Sequence, residues 1–101
     1  MRIRDPGLLR LLHYELDECA ICGTTHVLHL HHVLFRSHGG DDVRANITAL
    51  CQQHHDEYHH GNGNVRQQLG DLIAGRPETM VYLQQKLGVE GASVWLERHQ
   101  R

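Results

Sequence analysis

From Cys19 to His60 the chain reads CAICGTTHVLHLHHVLFRSHGGDDVRANITALCQQHHDEYHH. It opens on Cys19-Ala-Ile-Cys22-Gly23, two thiols three positions apart with a glycine at the turn, the look of a zinc knuckle. From Val27 to Phe35 apolar and β-branched residues alternate with histidine for several steps, which predicts a strand. Ser37-His-Gly-Gly-Asp-Asp42 breaks regular structure and predicts a loop. Asn46 to Leu50 fits a second short strand, and Gln52 to about His60 is polar and helix-compatible until Gly61-Asn-Gly63 stops it. The expected order is strand, loop, strand, helix. Such a helix brings His55 and His59, four positions apart, onto one face.

The flanks read as plain helix. Asp5-Pro6 has the form of an N-cap followed by proline in the first turn, and Leu8, Leu9, Leu12 and Leu16 recur at helical spacing. Beyond Gly63, Val65, Leu69, Leu72 and Ile73 form one stripe ended by Gly75. Pro77 then opens a helix with Met80, Leu83 and Leu87 inward, ended by Gly88, and a last short helix spans about Ala92 to Arg98. The expected organisation is α+β, a single domain over 1–101: an N-terminal helix in 1–18, the knuckle and core in 19–61, and C-terminal helices in 62–101. At 101 residues the chain is short for two separate cores, and a metal staple would help so small a domain to fold.

Hydrophobic residues make up 40% and charged residues 22%, a globular balance that argues against disorder, collagen and coiled coil. The unusual entry is histidine, 11 residues against 10 for Lys and Arg together. All but His13 and His99 fall between His26 and His60, so the cluster is no terminal tag. The formal net charge of -2 offers no global field toward nucleic acid or an anionic membrane. Positive charge used on a phosphate must then be local, and a bound divalent ion would supply it. Three cysteines, Cys19, Cys22 and Cys51, cannot close a disulfide framework, and with no signal peptide or long apolar run the expected compartment is the cytoplasm.

Two ligand groups emerge. Cys19-x-x-Cys22 and Cys51-x-x-His54 can close a four-coordinate site of three thiolates and one imidazole, the chemistry of structural zinc. That leaves His31, His55 and His59 for a second ion. Neighbouring helical residues point about 100° apart, so His54 and His55 can serve different sites. An all-imidazole trio with open positions suits a catalytic divalent metal.

In order along the chain, His31-His32, Gly39-Gly40-Asp41, Asn46 and Leu50-Cys51-x-x-His54-His55-x-x-x-His59 resemble the HNH endonuclease motif, preceded by the Cys-x-x-Cys-Gly that many of its members carry. The resemblance covers roughly Cys19 to His60 and leaves both flanks unassigned. It implies a small ββα-metal core with flanking helices, stapled by a structural zinc. It also implies a metal-dependent DNA endonuclease or nickase that leaves 5′-phosphate and 3′-hydroxyl ends. By position, His32 matches the general base, His31 the first metal ligand, Asn46 the residue that orients the base and braces the loop, His55 the final motif ligand and His59 a frequent third one. His54 departs from the pattern, since relatives with the knuckle usually have a fourth cysteine there. The implied ions are a structural Zn²⁺ and a catalytic Mg²⁺, Mn²⁺, Ni²⁺ or Zn²⁺. The implied partner is DNA rather than a membrane, with a homodimer or a larger nuclease machinery as a further option; a lone site cuts one strand at a time, so a double-strand break needs a dimer or successive nicks. By analogy of size, such nucleases occur in phage and prophage genomes. The competing reading is a non-catalytic zinc-binding module for nucleic acid or protein.

Around these, ordinary readings stand beside functional ones. His29 shares the face of His31, where a supporting role and a plain surface position are both open. His60 competes with His59 as a ligand. Arg36, Arg44 and Arg66 can reach flanking phosphates, although each alone reads as a solvated surface arginine. Arg2 and Arg4 can reach a phosphate backbone, although two charges on a terminus say little. Tyr58 shares the ligand helix, and Trp95 reads as core.

Overall fold

In the computed structural model, which describes residues 2–100, helix α1 spans Pro6–Glu15. Asp5 caps it by accepting the Leu8 N–H at 3.0 Å, and Pro6, which lacks an N–H, sits where none is needed. Strand β1 is Leu28–His32 and strand β2 is Ile47–Cys51, and they pair antiparallel with His31 opposite Thr48 and His32 opposite Ile47. Helices α2 (Gln52–His59), α3 (Gly63–Ala74) and α4 (Pro77–Gln100) follow. The architecture is a small α+β one with a two-stranded sheet.

Strand β1 is shorter than the alternation from Val27 to Phe35 predicts. The Val33 N–H still donates in register to the Asn46 carbonyl at 2.8 Å, and beyond it the backbone leaves the ladder, the Leu34 N–H going to the Asn46 side chain at 2.7 Å. The chain then turns through Arg36–His38, one 3-10 turn, into Gly39-Gly40. Gly40 is required for space, because a Cβ there would stand 1.7 Å from the Leu34 carbonyl oxygen and 2.8 Å from that of Phe35.

Two compact units divide the chain within α2, one running up to His55 and the other from Asp56 onward. In the first, every residue of β2 is buried, and Leu50, Cys19 and Cys51 form a cluster flanked by Ile21 and Leu28. The knuckle hangs on β2 through the Ala20 N–H to the Ala49 carbonyl at 2.9 Å, and Gly23 closes its turn onto the Cys19 carbonyl at 2.8 Å. In the second unit α3 and α4 pack together, burying Val65, Leu69, Ile73, Tyr82 and Leu83. Val65, Leu69, Ile73 and Leu83 of the stripes read from the sequence are on those buried faces, and each such side chain contributes about 1.5–3 kcal/mol. Leu72 and Met80 are half-buried, and Leu87, expected inward, is exposed because it directly precedes the break at Gly88, Tyr82 being buried in the stripe instead. The two helices expected after Pro77 are present as α4 broken at Gly88, whose φ of 78° and ψ of 166° only glycine adopts without strain. Among the described residues, no helix is long and apolar enough to cross a membrane.

Candidate metal centres and the His32 environment

The knuckle turn places Cys19 and Cys22, the end of β2 places Cys51, and the first turn of α2 places His54. Their ligand atoms all lie within 4.8 Å of one another. Cys22 Sγ is 3.9 Å from Cys51 Sγ, and His54 Nδ1 is 3.7 Å from Cys19 Sγ and 3.3 Å from Cys51 Sγ. A tetrahedral ion about 2.3 Å from sulfur and about 2.0 Å from nitrogen demands sulfur–sulfur separations of about 3.8 Å and sulfur–nitrogen separations of about 3.6 Å. The three separations quoted run from 3.3 to 3.9 Å, close to those values. The three cysteines are free, with no disulfide to account for their grouping. The cluster can hold a metal ion, and its three-thiol, one-imidazole set is the one the spacing predicts.

The thiols are electrically unlike. Burial pushes Cys19 upward, but the N–H groups of Cys51, Cys22 and Ile21 and the His54 ring outweigh it and bring the thiol down to about 6. Burial pushes Cys51 up, and its two sulfur neighbours add to the effect. Cys19 is therefore readily ionised at neutral pH, and a bound cation would favour ionisation of Cys51 beside it.

Strand β1 and helix α2 carry the second group. His55 and His59 occupy one helix face a turn apart, and the ligand nitrogens of His31, His55 and His59 lie within 4.8 Å of one another. His31 is buried, His55 half-buried and His59 exposed, so the group opens toward solvent on one side. The His31 ring meets His55 edge-on at 5.8 Å and Phe35 at 6.0 Å. His29 stacks on His55 at 5.0 Å and 14°, which gives it a packing role beside a ligand candidate. His60 is occupied differently: its Nδ1–H donates to the Asp56 carbonyl at 2.6 Å, finishing the helix.

Asn46 is fully buried, and its amide accepts from the Leu34 N–H and donates to the carbonyls of Leu34 and Asp41, both at 3.0 Å. It pins both ends of the loop. The side chain that meets the His32 ring is Asp42, with Nε2 donating to Oδ1 at 2.8 Å. Asp42 is 4% exposed and also accepts from Arg2 Nη2 at 2.7 Å and from the Asp5 N–H at 2.9 Å. Burial works against its charge, but the Asp5 N–H, the His32 ring, Arg2 and Arg36 together hold its carboxyl below the usual carboxylate range. Asp41 takes the Ile3 N–H, and Arg2 Nε donates to the Gly40 carbonyl at 2.9 Å. Residues 2–5 thus lie strapped along the loop beside His32.

Asp42 and Arg2 were not legible as site residues. The only available signal was an acidic pair directly after two glycines, which reads equally as a solvated turn. Arg44 is taken up by Glu15 at 2.7 Å on the surface, and Arg66 lies 5.7 Å over the Tyr58 ring. Trp95, read as core, is half-buried and stacks on the buried His99 at 3.8 Å. No family model, curated protein or solved structure matches the chain.

Proposed function

We propose that this protein is a metal-dependent DNA endonuclease or nickase of the HNH type, built on a ββα-metal core and stapled by zinc at Cys19, Cys22, Cys51 and His54. The single observation that carries the reading is the half-open group of three imidazoles, His31, His55 and His59. A closed structural site fills its coordination with protein ligands, whereas three neutral ligands with one side open leave room for water and a phosphate. A divalent ion held there by His31, His55 and His59 would supply positive charge to neutralise the charge that develops on a phosphodiester as it is cleaved.

The chain's own residues do the rest. The carboxylate of Asp42 accepts the Nε2 proton of His32, which leaves the lone pair of the neutral ring on Nδ1, ready to take a proton from water. Asn46 holds the loop that carries Asp42, so it acts on His32 at one remove.

The test is plasmid nicking with Mg²⁺, Mn²⁺, Ni²⁺ or Zn²⁺ against a chelator control. Wild type is expected to cut with at least one ion, while His32→Ala keeps its metal content and loses cutting by about 10²–10⁴-fold, the usual weight of a general base. Cleavage by His32→Ala at the wild-type rate would falsify the assignment. Stoichiometric tightly bound zinc without cleavage under any ion favours the second reading, a non-catalytic zinc module, for which the thiol cluster alone would suffice.

A further inference from the structure

We propose that the cavity between the N-terminal segment and the turn after β1 is an anion subsite that takes a phosphodiester group of the substrate strand, adjacent to the bond served by His32. The inference rests on the nuclease reading and deepens it by assigning a second phosphate contact.

The cavity measures about 540 Å³, and Arg2, Arg4, Arg36, Ser37 and Asp42 line it. Three guanidiniums face one carboxylate there, a local excess of positive charge in a chain whose formal net charge is -2. The other nearby acids are turned elsewhere: Asp5 accepts the Leu8 N–H and Asp41 the Ile3 N–H. Arg2 is fixed by Gly40 and Asp42 and is only 17% exposed, so it lends charge without being mobile. Arg4 and Arg36 are exposed and can close on a ligand, and Ser37 adds a hydroxyl donor.

Place and chemistry together choose the ligand. A guanidinium presents paired donors that match the two free oxygens of a phosphodiester. Arg36 Nε stands 3.5 Å from His32 Nε2 and 3.9 Å from Asp42 Oδ1, so an anion on Arg36 lies beside the proposed base. A strand whose scissile phosphate is presented to His32 must carry its next phosphate close by. Such a contact fixes register without reading sequence.

The experiment measures nicking of a short duplex by wild type, Arg4→Gln, Arg36→Gln and the control Arg10→Gln. Each duplex carries a single uncharged methylphosphonate at one of the two phosphates on either side of the cut. Losing a charge-assisted contact should raise KM roughly tenfold or more for Arg4→Gln and Arg36→Gln, and lower the salt dependence of binding by about one ion each. Arg10→Gln, on α1 and not part of the cavity lining, should leave KM unchanged. At one position the methylphosphonate should penalise wild type but not Arg36→Gln, which couples that phosphate to that side chain. If wild type cuts and no position shows such coupling, the subsite is refuted. Titration of the metal-loaded protein with inorganic phosphate, followed by amide chemical shifts, covers the remaining cases. If wild type cuts nothing, the nuclease reading falls, and the phosphate titration still decides whether this cavity binds anions: shifts at Arg4, Arg36 and Ser37 support an anion site and their absence overturns it. Shifts with phosphate in a protein that cuts without coupling identify a free-phosphate site and overturn the strand assignment.

Discussion

Replacing Asp42 by Asn keeps the side chain's shape and removes its charge, and the structure says what that costs. Oδ1 accepts from His32 at 2.8 Å and from Arg2 at 2.7 Å, and Oδ2 accepts from the Asp5 N–H at 2.9 Å. An amide has one oxygen, so either orientation turns an NH₂ toward at least one donor. The better choice sacrifices the Asp5 contact, leaves the His32 bond without the carboxylate's charge and leaves the Arg2 bond assisted by the guanidinium alone. With the group 4% exposed, water offers little compensation. Charge-assisted hydrogen bonds contribute about 1.5–3 kcal/mol each and a buried orphan costs about 1–3 kcal/mol, so Asp42→Asn should lose roughly 2–4 kcal/mol. That is a large part of the about 5–15 kcal/mol of a small domain. The acid limb should change as well. The folded carboxyl titrates below its unfolded value of about 3.9, so its stabilisation is present above that pH and is lost as pH falls through the folded value. Asp42→Asn should flatten this limb. Urea unfolding at neutral and acid pH, with the metal content of each sample measured, provides both readings. A variant within about 0.5 kcal/mol of wild type, with an unchanged acid limb, would refute the hub.

Other consequences are as direct. Cys51→Ser should release one ion per chain and unfold the first unit, since apparent binding of a structural zinc is worth about 10–16 kcal/mol; elemental analysis and far-UV circular dichroism check this, and a variant with unchanged metal content and melting would contradict the cluster. Gly40→Ala should cost more than about 3 kcal/mol, because its Cβ would meet backbone rather than a movable side chain. Denaturant midpoints read that loss. Burial depresses His99, helped by Arg66 and opposed by the Trp95 carbonyl that its Nδ1–H reaches at 2.8 Å, while Nε2 accepts from the Tyr58 hydroxyl at 2.7 Å. The folded value lies below the unfolded one of about 6.5, so stability is full above that pH and declines as the pH drops toward the folded value. His99→Gln should remove that slope, and an identical pH profile in the variant would show that the ring does not titrate differently on folding.

The local elements were legible in the sequence. Helix stripes at Val65, Leu69 and Ile73, the Asp5-Pro6 cap and the two halves of α4 all follow from short-range periodicity and from residues with one backbone habit. Both candidate metal-holding groups were legible too, because Cys-x-x-Cys, Cys-x-x-His and His-x-x-x-His set their side chains together through spacing on one turn or one helix, and the fold needs only to bring such pieces together. What only tertiary structure decided is the surroundings of His32. Asp42 is ten positions away from it and Arg2 thirty, and neither separation has a period; the loop closes by the buried amide of Asn46 and the missing Cβ of Gly40. Whether an acid in a glycine loop is solvated or holds a histidine depends on burial and on which donors reach it. Those are properties of packing, invisible in a linear pattern. The histidine that the motif placed was legible, and the carboxylate that fixes its proton was not.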